Sequence, residues 1–272
     1  MAAMTNDERR EAEEDDWSVQ IEIDCYDRVL DGVPILLQSL GSPDMPLRRA
    51  AAYAIGWFPE ADELSVPALQ GLLDADGDPQ SFVTAILSLG LLSRHSARVD
   101  LQRLLQFLTH SQLAVRVAAA VACAREPLRE IEIDVLIEGV MNREKLAAQT
   151  PDLLVNEGDL TGYAGVTLSR YGAKSAEKVV TGLCQALESA DAYQSLNITK
   201  AILDVIVDDN ANPIRATSVQ SLSFLQRYAL EAICDYGGWK MRQGEFGNYI
   251  GLVRAYGLPY SQQSLRAYLD GD

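Results

Sequence analysis

Residues that commonly carry chemistry are scarce in this chain. Only two histidines occur, His95 and His110, both near expected inter-helix turns and both followed by serine. That leaves little for general acid–base catalysis, and each reads as a surface or capping residue. No G-x-S-x-G elbow and no G-x-x-x-x-G-K phosphate loop is present. Cys25, Cys123, Cys184 and Cys234 are widely separated, with no C-x-x-C pair and no nearby histidine. This spacing argues against a metal or redox centre, and the four read as reduced core thiols. No apolar run reaches the length of about 18 residues that a membrane span needs. The opening "MAAMTNDERREAEEDD" lacks the apolar core of a signal peptide, so a cytoplasmic chain without a membrane partner is expected. Positive charge is also short, with 23 Lys and Arg against 39 Asp and Glu, a formal charge of −16. A phosphate backbone is a poor partner for such a chain. Strand-like alternation is confined to "VQIEID" (19–24), which a helix or an extended lead-in explains equally well.

What is abundant is apolar surface at helical spacing, since 48% of the 272 residues are hydrophobic. Acidity is concentrated first in residues 1–16, which carry almost no apolar side chains and are expected to form a disordered tail. From Trp17 onward the pattern becomes that of a packed chain. "LRRAAAYAIG" (47–56), "SFVTAILSLG" (81–90) and "VRVAAAVACA" (115–124) superpose at offsets of 34. Ala51, Ala85 and Ala119 coincide, as small residues do where helices approach closely, and so do Ile55, Leu89 and Cys123. A shorter helix precedes each: "VPILLQSL" (33–40), "VPALQGLL" (66–73) and "VDLQRLLQFL" (99–108). Pro34 and Pro67 fit first-turn positions. The turns "GSPD", "DADGDP" and "THSQ" punctuate each pair. Helices this short cannot bury their faces alone, so successive pairs must stack.

Residues 32–125 therefore resemble three consecutive HEAT or HEAT-like repeats, with V-P-x-L-x-x-x-L, a D-x-x-x-R turn and A-A-x-A-[IL]-G. The resemblance implies that Asp44 caps the second helix and that Arg48 ties adjacent repeats. Asp78 and Arg116 match the same pattern, whereas Phe82 stands for the second Arg and Gln112 for the third Asp. A fourth pair is expected at 130–142 and 159–172 around the insert "REKLAAQTPDLLVNEG" (143–158). A fifth is expected at 175–189 and 196–208, with Asn197-Ile198-Thr199 offering a helix start. "DDNANPIRATSVQS" (208–221) interrupts the repeat. After it, a helix over 223–235 is expected to bury Phe224, Leu225, Tyr228, Ala229 and Ile233. Gly237-Gly238 breaks it, Gly257 and Pro259 stop the next helix, and Ser261 caps the last. This ending is similar to that of uncharacterised bacterial HEAT-repeat proteins, sharing "LQR-x-AL-E-A", "R-x-YGLP" and "LR-x-YL".

The resulting expectation is an all-α fold, an α-solenoid of about five HEAT-like pairs, divided as tail (1–16), solenoid (17–210) and helical C-terminal cap (211–272). Tyr228, Trp239, Tyr249, Tyr256 and Tyr268 would fill the cap. Among HEAT-type enzymes, di-iron hydroxylases need His-Glu pairs that are absent, and DNA glycosylases need a basic groove. Phycobilin lyase-like pigment binding remains as an alternative, as does an acidic inhibitor or immunity-type protein blocking a basic toxin or nuclease. The leading expectation is a non-enzymatic scaffold, without metal or cofactor, that binds another protein on its concave face. The second helices of the pairs, 47–58, 81–92, 115–125 and 159–171, would line that face. Arg49, Tyr53 and Trp57, four apart on one helix face, have the composition of an interface hot spot, or else fill the seam against the N-terminal segment.

Overall fold

The protein, seen as a computed structural model, is described over residues 17–74, 79–153, 159–207, 219–240 and 243–271. The acidic stretch 1–16, Asp78 and most of the 208–221 interruption, including Asp208 and Asp209, lie outside the described residues. Among those described, every regular element is helical. The chain divides into two compact units, residues 1–123 with 147–159, and residues 124–146 with 160–272.

The first unit holds α1 (Trp17–Asp31), α2 (Val33–Ser39), α3 (Met45–Ile55), α4 (Asp62–Asp74), α5 (Pro79–Leu92), α6 (Leu101–Leu105) and α7 (Leu113–Cys123). "VQIEID" is thus helical. Consecutive helices pair as α2 with α3, α4 with α5 and α6 with α7, while α3 packs on α5 and α5 on α7. Ile55, Leu69, Ile86, Leu89, Leu104 and Leu113 are fully buried between them. Each such side chain contributes about 1.5–3 kcal/mol of burial. Helix α5 is buried on nearly every side, with Val83, Ala85, Ile86, Leu89 and Leu92 inaccessible.

The A-A-x-A-[IL]-G motif has a direct geometric reading. A Cβ placed on Gly56 would lie 2.7 Å from Ser88 Cβ, and one on Gly90 would lie 2.5 Å from Ala122 Cβ. Gly56 and Gly90 are 34 residues apart, as are Ser88 and Ala122, so one close backbone approach occurs twice. Ser88 Oγ also donates to the Ala52 carbonyl at 2.8 Å, a buried bond across adjacent pairs.

Two details of this unit differ from expectation. Pro67 is not in a first turn, because Pro59–Ala61 form a 3-10 turn from which α4 begins at Asp62. Pro67 is instead exposed at mid-helix, where its missing N–H leaves one carbonyl of the preceding turn without its helical donor. Cys25 is exposed, whereas Cys123, Cys184 and Cys234 are buried free thiols. Burial pushes the Cys184 thiol up to about 12, so it packs as a small hydrophobe.

The second unit holds α8 (Glu130–Met141), α10 (Leu160–Tyr171), α11 (Ala176–Glu188), α12 (Ala192–Ile206), α13 (Phe224–Tyr236), α14 (Gln243–Ala255) and α15 (Gln262–Asp270). Between α8 and α10 the insert forms α9 (Arg143–Gln149), in which the boundary between units falls. Helix α8 packs against α10 and α11, α11 against α12 and α13, and α13 against α15. Helix α12 starts at Ala192 under an Asp191 cap, so Thr199 is mid-helix rather than at a start. There it is buried and shares a 3.1 Å hydrogen bond with the hydroxyl of fully buried Tyr249. Phe224 is 85% exposed, contrary to expectation. Ser223 is the cap, which makes Phe224 the first helical residue, and its ring stacks along the helix on Tyr228 instead of entering the core. Gly257, with φ of 73°, stops α14, and Ser261 caps α15.

Candidate functional site: a strap across three helix starts

The expected Asp–Arg pattern organises the turns that begin α3 and α7. Asp44 accepts the Leu47 N–H at 3.4 Å and caps α3. Arg48 donates from Nε and Nη2 to the Ser42 carbonyl at 3.1 and 2.7 Å. Arg116 donates from Nη1 to the His110 carbonyl at 3.0 Å, six residues back in the same way. The Asp44 N–H donates to Ser42 Oγ and the Gln112 N–H to His110 Nδ1, each at 3.1 Å, so the imidazole stands in for a hydroxyl. These arginines therefore clamp the turn of their own pair through charge-assisted bonds. Links between pairs come from elsewhere: Arg103 reaches the Asp74 carboxylate, and Arg98 lies 3.5 Å from that of Asp62. Phe82, at the second arginine position, meets Phe107 edge-on at 5.0 Å and stacks over His110.

The third pair has Gln112 where a capping aspartate is expected, and its cap arrives from 35 residues downstream. Gln149 Oε1 accepts the N–H of Ala114 at 2.9 Å. Ala114 is the second residue of α7, and an amide there has no acceptor within its helix. Three residues on, the Asp152 N–H donates to Oε1 of Gln80 at the start of α5, at 3.2 Å. The Asp152 carboxylate faces Arg49 Nη2 of α3 at 3.6 Å. Residues 149–152 thus form a strap that touches the first turns of α7 and α5 and then the guanidinium projecting from α3. At α7 the strap offers an oxygen to a helix N-terminus, which carries partial positive charge, and at Arg49 it offers a carboxylate, whereas at α5 it donates an N–H to a side-chain oxygen.

The strap changes the surroundings of the predicted hot spot. Arg49 is 7% exposed, while its partner Asp152 has a side chain 71% exposed. A nearly buried cation therefore meets an anion at the rim. Tyr53 and Trp57 are half-buried and meet edge-on at 6.1 Å. Burial raises the Tyr53 phenol above its ordinary pKa, against an opposing hydrogen bond with Trp57. Trp57 also packs on the cluster of Tyr26, Val33 and Phe58, the seam with the N-terminal helices. Of the three, Tyr53 and Trp57 stay half-buried, and Arg49 alone carries a charge.

A second concavity lies wholly in the other unit, a groove of about 610 Å3 between α8 and α11. Leu128, Ile133 and Ile137 form its apolar side, while Lys178 spans Glu130 and Asp134 at 3.2 Å each. Gly182 sits where a Cβ would come 2.5 Å from Ile137 Cδ1, which keeps the two helices close. Under α8, Glu132 is 1% exposed. One carboxylate oxygen accepts the Arg129 N–H at 2.7 Å, and Oε1 has no hydrogen-bond partner.

His95 is exposed, and no cluster of three or more potential metal ligands occurs among the described residues. None of the helices among the described residues is long and apolar enough to cross a membrane. Sequence spacing marks Asp44, Arg48, Arg116 and Arg49, but not Gln80, Gln149 or Asp152. The available signals for those three are an unfilled cap at Gln112 and an insert that breaks the repeat. Against protein-family models, curated proteins and solved structures, the chain matches none.

Proposed function

We propose that the protein is a non-enzymatic, cytoplasmic scaffold of HEAT-like helical pairs, and that it binds another protein on the face where α3, α5 and α7 begin. The observation that carries this reading is the strap itself. The last residue of α9 and the three non-helical residues after it lie across three successive helical pairs and are held by one group from each. A stacked array whose adjacent repeats each offer one anchor suits an extended ligand. Tyr53 and Ala50, half-buried and exposed on α3, extend this face beyond the strap.

The test is affinity capture with the intact protein beside an Ala50→Glu/Tyr53→Ala variant, both checked for helicity by circular dichroism. Loss of specific captured proteins in the variant supports the face. Recovery of the same proteins by two folded baits refutes it.

A further inference from the structure

The strap differs from an ordinary loop in the chemistry it covers. Arg49 is a guanidinium with five donors, nine-tenths buried on α3, and its carboxylate partner stands at 3.6 Å, longer than a charge-assisted hydrogen bond. Desolvating that cation is unfavourable unless an anion stays beside it. The starts of α5 and α7, helices of 14 and 11 residues, add positive potential along the same line. On a chain of net charge −16, this line is locally suited to an anion. The strap meets it with a side-chain amide and a carboxylate three residues apart, Gln149 and Asp152.

We propose that residues 149–152 are a built-in competitor, occupying a site that takes an acidic extended segment of a partner protein. The partner's carboxylate replaces that of Asp152 at Arg49, and its neighbouring polar groups take over the Ala114 N–H and the Gln80 amide. This rests on the protein-binding reading above and adds the partner's chemistry and the means of restraint. Of the four strap residues only Thr150 is buried, at 8% exposed, so release uncovers one small polar side chain, whereas Pro151 and Asp152 are already exposed and Gln149 half-buried. A tethered competitor acts at an effective concentration of about 1 mM, so a free segment with a Kd of about 10 μM for the open site binds about a hundredfold more weakly while the strap is down.

The test uses the full chain, wild type and a Gln149→Ala/Asp152→Asn variant that loosens the strap, with a fluorescent peptide of residues 143–153 as probe. Hydrogen exchange at Ala114 reports the strap directly, because that amide has no helical acceptor. The expected result is faster exchange at Ala114 in the loosened variant, at least tenfold tighter peptide binding than to wild type, and restored protection once peptide is bound. Binding should fall at least tenfold when the peptide's own aspartate becomes asparagine, or when Arg49→Met is added. Fast Ala114 exchange without peptide binding overturns the proposal, and a partner captured through Tyr53 would still stand. Unchanged exchange overturns it also, because the strap would then not be held by these contacts. If light scattering shows wild type dimerising as the peptide is displaced, the occupant is a second copy and the partner segment is refuted.

Discussion

Replacing Gly90 with alanine is expected to cost the first unit about 2 kcal/mol. The added methyl would stand 2.5 Å from Ala122 Cβ and 2.6 Å from Ala122 Cα, on the neighbouring helix α7. Ordinary contact begins near 3.4 Å, and neither atom can rotate away, so two helix backbones must separate. Overpacking of this kind costs about 1–3 kcal/mol, and a backbone obstacle places it near the top of that range. Alanine returns about 1 kcal/mol through its higher helix propensity, leaving the net figure. Gly71 in α4 provides the matched control, exposed on a helix of the same unit with nothing within 4 Å of a Cβ added there. There the propensity gain stands alone, so Gly71→Ala should stabilise by about 0.5–1 kcal/mol. Urea unfolding of the full chain followed by far-UV circular dichroism would show the two variants on opposite sides of wild type, separated by about 3 kcal/mol. Finding them within about 0.5 kcal/mol of each other would refute the close approach of α5 and α7 and, with it, the explanation of the glycine in the repeat.

Two further outcomes follow from buried ionisable groups. Burial raises the Glu132 carboxyl above its ordinary value of 4.5, opposed by the Arg129 N–H and the charges of Arg129 and Arg125. A raised acid binds its proton more tightly when folded, so its stabilising effect is present at low pH and is lost as pH climbs through the raised value. Glu132→Gln should therefore remove a decline in stability just above pH 4.5, read from urea midpoints taken at successive pH values; a decline of equal size in the variant would contradict this. Burial also pushes the Tyr249 phenol up to about 12, against the hydrogen bond it shares with Thr199. In ultraviolet titration this tyrosine should stay protonated until about pH 12 or until unfolding, and Tyr249→Phe should cost about 1 kcal/mol through the lost Thr199 bond. Ionisation of every tyrosine near pH 10 with the fold intact would rule that out.

The sequence made the helical pairs and their offset readable because small residues recur wherever backbones meet, as at Gly56 and Gly90 with Ser88 and Ala122. Asp44 was legible as a cap for a local reason, since its acceptor lies three residues from the donor. Features fixed by distant segments were not readable in this way. Pro67 fits a first-turn rule until the preceding 3-10 turn moves the helix start to Asp62. Thr199 resembles a start signal, but Asp191 captures that role with a capping box. Phe224 is apolar enough for a core, yet the cap at Ser223 turns it outward. The candidate site shows the same division most clearly. Arg49 stands out by composition, while the glutamine and aspartate that complete its surroundings lie about 100 residues away in an insert with no repeat to mark them.

The strap also constrains the order in which the first unit can be completed. The chain leaves this unit after Cys123, contributes residues 124–146 to the other, and returns at Ala147. During synthesis, α7 therefore emerges with its Ala114 amide uncapped and waits for Gln149 before that end is closed. A fragment cut at the apparent end of the third pair would retain every helix of the array and still lack the residues that seal it. A faithful dissection has to keep the chain through Asp152, so the gene cannot be divided where the repeat appears to stop.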